Sequence, residues 1–158
     1  MSLALTDVFA VTALTLFSVS DLRTRLAPGI EVFFIGAILI SIPGNPLTTV
    51  LVVLAFAWGW LRSIPSWLIL PLLFLPSTWP VLLTGFGVRQ GVVGRADLLA
   101  IAGLACLFPW PALVLAMLGL EVWRRFWRSR QAGPVPAIPG LLLGILAYLL
   151  VKLALPFA

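Results

Sequence analysis

The chain contains no histidine, one cysteine and one lysine, and only 9% of its residues carry charge. Without an imidazole, a serine–histidine triad and a histidine proton relay are excluded. With one thiol at most, so is a zinc site built from the usual nitrogen and sulfur ligands. Cys106 has no partner for an intramolecular disulfide. Lys152, the one lysine, falls late in the last apolar run, which argues against a serine–lysine dyad. Five carboxylates are left for chemistry: Asp7, Asp21, Glu31, Asp97 and Glu121. No metal and no cofactor are expected.

What is abundant is apolar surface. Of 158 residues, 62% are hydrophobic, whereas soluble domains run at about half apolar and about a quarter charged. Several runs approach the ~20 residues that cross a hydrocarbon core, so the composition predicts a lipid bilayer as solvent. The formal charge of +5 is not a nucleic-acid signal, because it is dispersed between apolar runs: Arg23 and Arg25, Arg62, Arg89 and Arg95, then Arg124, Arg125, Arg128 and Arg130. That is the pattern of the positive-inside rule. The seven tryptophans, Trp110, Trp123 and Trp127 among them, read as an interfacial belt. The first arginine follows the first apolar run and no small-residue cleavage site comes after it, unlike a secretory signal. The expectation is an N-terminus outside and Arg23 inside.

The expected fold is all-α: a single polytopic domain over residues 1–158 with about six spans and one proline-broken segment. Leu3–Ser20, Ile30–Ile42 and Leu47–Leu61 read as spans, with a turn at Pro43-Gly44-Asn45-Pro46. Ile64–Phe86 is apolar but interrupted by Pro65, Pro71, Pro76 and Pro80, each of which removes a backbone donor. As one ordinary span it would put Asp21 and Asp97 on opposite membrane faces. As a re-entrant or short helical hairpin it returns Arg62 and Arg89 to one side, which positive-inside favours. Gly85 to Gly91 reads as a flexible junction. Asp97–Phe108 and Ala112–Trp123 form an apolar pair, Arg124–Pro136 a polar loop and Ala137–Phe157 the last span.

An acid within an apolar span costs roughly 2.5–3.5 kcal/mol at the helix centre and requires a reason. Asp21 ends the first span, where pairing with Arg25 at i,i+4 is a sufficient structural reason. Asp97 opens a later span, where a helix-start acid is equally ordinary. As a pair they offer more. Two aspartates at one depth do not both ionise cheaply; one proton is shared, the ionised partner activates water, and the other protonates a carbonyl oxygen.

Asp21-Leu22-Arg23-Thr24-Arg25-Leu26-Ala27-Pro28-Gly29 resembles the first-aspartate motif of type IV prepilin peptidases, D-x-R-x-x-x-I-P-N. Asp21, Arg23 and Pro28 match, while Ala27 and Gly29 replace isoleucine and asparagine. Gly94-Arg95-Ala96-Asp97 is similar to the GxGD motif of the second aspartate, in the form with alanine before it. Leu107-Phe108-Pro109 and Pro134–Pro139 are also similar to archaeal members. Leu99 stands in place of a frequent lysine, and the cysteine-rich cytoplasmic domain of bacterial members has no counterpart.

The resemblance implies a membrane-embedded aspartic endopeptidase with Asp21 and Asp97 catalytic and Arg23, Pro28 and Gly94 in support. It implies prepilin-like or preflagellin-like substrates, cut after a short basic leader at the cytoplasmic face. Gly94 and the glycines at 85, 87 and 91 suit a loop that moves to admit substrate. Glu31 and Glu121 are candidate contacts for the basic leader, or plain partners of Arg25, Arg124 and Arg125. Asp7 reads as an outer-interface residue without a part in the chemistry. The alternatives are a non-enzymatic transporter or assembly subunit with structural aspartates, and a presenilin-like protease of other membrane proteins.

Overall fold

The computed structural model describes residues 4–24 and 26–155. Leu3 and Phe157, the expected limits of the first and last spans, and Arg25 with its expected ion pairs lie outside the described residues. The described chain is helical, with no strand among its residues: α1 (Leu5–Thr24), α2 (Ile30–Ser41), α3 (Pro46–Trp60), two 3-10 helices (Ser66–Phe74 and Pro76–Thr78), α4 (Trp79–Arg89), α5 (Arg95–Leu107), α6 (Trp110–Arg130) and α7 (Ile138–Ala154). Among the described residues only α1, near the N-terminus, is both long and apolar enough to cross a membrane; α2, α3 and α7 are apolar but have 12, 15 and 17 residues.

The chain divides into two compact units, one of Met1–Pro28 and Pro111–Ala158, the other of Gly29–Trp110. In the first unit α1 packs on α7. Asp7 meets Lys152 and Asp21 meets Ile138, so the two helices run antiparallel. Between α6 and α7 the contact is glycine on backbone. A Cβ on Gly119 would stand 2.5 Å from the Gly144 nitrogen, and one on Gly144 would run into the Leu115 carbonyl and the Ala116 Cα. Gly140 and Gly144 lie four residues apart on one face of α7, the small-residue spacing that lets apolar helices approach closely.

In the second unit, the proline-rich stretch forms no continuous α-helix. Pro71 and Pro76 withhold N–H donors and the backbone tightens into 3-10 turns. The Trp79 indole takes up the Leu73 carbonyl, which Pro76 cannot serve, at 2.7 Å, and the Thr78 hydroxyl adds a second donor to Leu72 O and Leu75 O at 2.6 and 2.7 Å, each of which already accepts a backbone N–H. The stretch then doubles back. Arg89, closing α4, donates to Arg62 O at 2.9 Å and to Ile64 O at 3.2 Å, and lies 4.7 Å from the centroid of the Trp58 ring. Residues 62–89 therefore form a hairpin that ends where it began.

Two expectations are corrected. Gly85–Gly91 is no flexible junction: α4 runs through Gly85 and Gly87 to Arg89. Gly85 is wedged against Gly59 so tightly that a Cβ there would lie 2.9 Å from the Gly59 Cα. Gly91, at φ 73°, closes the helix in a Schellman cap, with Val92 N–H on Gly87 O at 2.9 Å and Gly91 N–H on Val88 O at 3.1 Å. Nor does a polar loop begin at Arg124, because α6 continues to Arg130. Glu121 pairs with Arg124 at i+3 and Arg125 at i+4, and the Arg130 guanidinium lies over Phe126. Charge in this stretch decorates a helix instead of ending it.

Candidate active site

Asp21 lies in the last turn of α1, in the first unit, and is half-buried. Its Oδ2 accepts the Ile138 N–H at 3.3 Å. Ile138 is the first residue of α7, whose N-cap, Ala137, has no side-chain acceptor. A helix start leaves several N–H groups without intrahelical acceptors, and Asp21 answers one of them from 117 residues away in the chain. A carboxylate there also meets the positive end of the α7 dipole.

Asp97 lies in the first turn of α5, in the second unit, and is also half-buried. Its Oδ2 accepts the Gly94 N–H at 3.3 Å, the reciprocal half of a capping box; Gly94 has no side chain to supply the other half. Arg95 at the same helix start lies 4.9 Å from the Trp60 ring centroid. The end of α3, the close of the hairpin and the opening of α5 thus meet at one end of this unit. Gly94 itself has an ordinary extended backbone, φ −74°, and a Cβ there would meet Asp97 Oδ2 at an ordinary 3.4 Å. The conformation seen at this position does not demand glycine.

The first motif shows where its substitution is physically conservative. Gly29 sits at φ 83° ahead of α2, and asparagine, which it replaces in the pattern, is the other residue that enters this region readily. Pro28 and Arg23 are exposed, Arg23 in the last turn of α1 where a cation suits the helix C-terminus. Glu31 is exposed in the first turn of α2 and makes no ion pair among the described residues. Glu121 is held at 2.6 Å from Arg124 and 2.9 Å from Arg125, so its carboxylate already has two cationic partners. Among the described residues no group of three or more metal-ligating side chains gathers.

One ionisable contact was not expected from the sequence. Asp7 is buried, at 3% exposure, and its Oδ2 receives Lys152 Nζ at 2.7 Å and the Ala4 N–H at 3.0 Å. Lys152 is 145 residues away, so no local pattern could have announced the pair; the one available signal was that each is an isolated charge in an apolar helix.

No protein-family model, no curated protein and no solved structure matches this chain.

Proposed function

We propose that the chain is a polytopic membrane protein acting as an aspartic endopeptidase on prepilin-like substrates, with Asp21 and Asp97 as its two catalytic carboxylates. The observation that carries the reading is the shared setting of the two motif aspartates. Each is half-buried at the polar end of an apolar helix, with one carboxylate oxygen on a backbone N–H that fixes its orientation. In this reading one carboxylate activates water and the other protonates the oxygen of the scissile carbonyl. The leader would be cut at the frayed inner end of the substrate helix, where carbonyls are free of i→i−4 bonds.

Membrane embedding is supported by the lipid-like character of exposed surface. Leu16, Val32, Leu39 and Leu150 are all more than 60% exposed, and so many solvent-facing aliphatics do not suit water. The hairpin return of residues 62–89 supports a topology in which the loops after α1, around Gln90 and after α6 all face the cytoplasm. In a Cys106→Ala background, single cysteines at Thr24, Gln90 and Ser129 should label from that side only. Labelling of Gln90 from outside would remove the basis of the catalytic pair.

A second reading is favoured by the same contacts: both carboxylates act as helix-start acceptors, which is all that a non-enzymatic membrane subunit would need. Asparagine separates the two. Asp21→Asn and Asp97→Asn each keep an oxygen to accept the N–H but lose the acid–base function. Both variants should insert and fold as the parent does and lose cleavage of a prepilin-like substrate by about 10²-fold or more, in the presence of chelators as well. Full activity in either variant, on a substrate the parent cleaves, would return that aspartate to a structural role.

A further inference from the structure

Asp7 and Asp21 stand fourteen residues apart on α1, and Ile138 and Lys152 stand fourteen residues apart on α7. The two polar contacts between these antiparallel helices are therefore in one register, separated by about four turns or about 21 Å. Midway between them lie Leu14 and Ile145, both at 0% exposure. Buried aliphatic side chains hold helices together without choosing among registers, because apolar burial is non-directional. A slip of one residue moves a side chain by about 1.5 Å along and about 100° around the axis, enough to break a 2.7 Å ion pair. The directional element at the far end is Asp7, pinned by the Ala4 N–H as well as by Lys152.

We infer that Asp7 and Lys152 form a polar lock that sets the register of α1 on α7 and thereby holds the Asp21 carboxylate at the start of α7. Both are positioning residues: neither touches substrate, and each acts through the helix it anchors. Burial makes the lock selective. A slipped register would leave Asp7 and Lys152 desolvated without counter-charges, a penalty that an exposed pair would not impose. The consequence for activity rests on the peptidase reading; the consequence for register does not.

The test uses the full chain in Cys106→Ala form, with cysteines at Leu14 and Ile145 reporting the register by oxidative cross-linking. Parent and Lys152→Arg should cross-link alike. The double variant Asp7→Leu/Lys152→Leu removes the lock without leaving a buried charge. It should remain folded, lose cross-linking several-fold, and lower kcat while leaving KM for the leader unchanged. Reversal of the pair, Asp7→Lys with Lys152→Asp, should recover cross-linking relative to Asp7→Lys alone, a comparison that holds even if the apolar variant folds poorly. Parental cross-linking in the apolar variant, or no recovery on reversal, overturns the lock whatever the enzyme does. A fall in cross-linking in a protein whose parent cleaves no prepilin-like substrate upholds the lock and removes the peptidase reading instead.

Discussion

The two compact units solve the same problem, satisfying polar groups in an apolar chain, by different means. In the first, acidic side chains reach across 117 and 145 residues, Asp21 to a helix start and Asp7 to Lys152, while Gly119, Gly140 and Gly144 bring α6 and α7 to backbone contact. In the second, side chains of the proline-rich hairpin donate to its own carbonyls: the neutral Thr78 and Trp79 within it and the cation Arg89 at its close. The longest polar contacts thus span 117 and 145 residues in the first unit and 31 in the second. Single substitutions should be most damaging in the first.

The largest effect is expected at Gly144. A methyl group there meets the Leu115 carbonyl and the Ala116 Cα of α6, which are backbone and cannot swing aside as a side chain would. Gly144→Ala should cost about 3 kcal/mol, at the upper end for overpacking, read as a fall in thermal stability in detergent. Gly59 in the second unit, whose added Cβ would also meet backbone, the Gly85 Cα at 2.6 Å, though less closely than at Gly144, is the control. If Gly59→Ala is as damaging as Gly144→Ala, the contrast between the units fails.

Arg89 comes next. Its guanidinium donates to the carbonyls of Trp58, Arg62 and Ile64 while covering the Trp58 ring, so it closes the hairpin and supplies donors at the C-terminal end of α3. Hydrogen bonds from charged groups contribute about 1.5–3 kcal/mol each where buried, and partial exposure of Arg89 lowers that. Arg89→Met should cost about 2 kcal/mol. Arg89→Lys should recover only part of it, because an ammonium lacks the fork that spans several carbonyls. Complete rescue by lysine would reduce Arg89 to a point charge and leave the hairpin to its prolines.

What was legible in the sequence follows the same division. The helices α2 and α3, the turn between them and the break in residues 64–86 were readable because proline and glycine act locally. Asp97 was readable as a helix-start acid, since Gly94 is three residues away. The contacts of Asp7 and Asp21 were not, because nothing in the sequence announces which helix start or which lysine will face them. Gly85 was misread as flexible for the same reason: the feature that makes it necessary is Gly59, 26 residues earlier on another helix, whereas Gly87 lies against the nearby Val93. Arg124–Arg130 was misread because composition outweighed spacing, although Glu121 with Arg124 and Arg125 at i+3 and i+4 is a helical pattern.

The smallest effect is expected at Gly91, and it decides most about motion. Gly91 holds φ 73° with nothing within 4 Å of where a Cβ would be, so Gly91→Ala has no steric neighbour and only the left-handed backbone to disfavour it. That costs about 1 kcal/mol, and Gly91→Asn should cost less, since its short amide tolerates this region. If the Schellman cap is simply the ordered end of α4, the stability of Ala and Asn variants should follow that ranking and cleavage should remain parental. If Gly91 is instead a hinge for a loop that admits substrate, kcat should fall in both variants by more than their stability does, and the Ala–Asn ranking should vanish. The first result leaves the hairpin a rigid support for α5 and Asp97; the second makes the carbonyl network around Arg89 the fixed base from which that support moves.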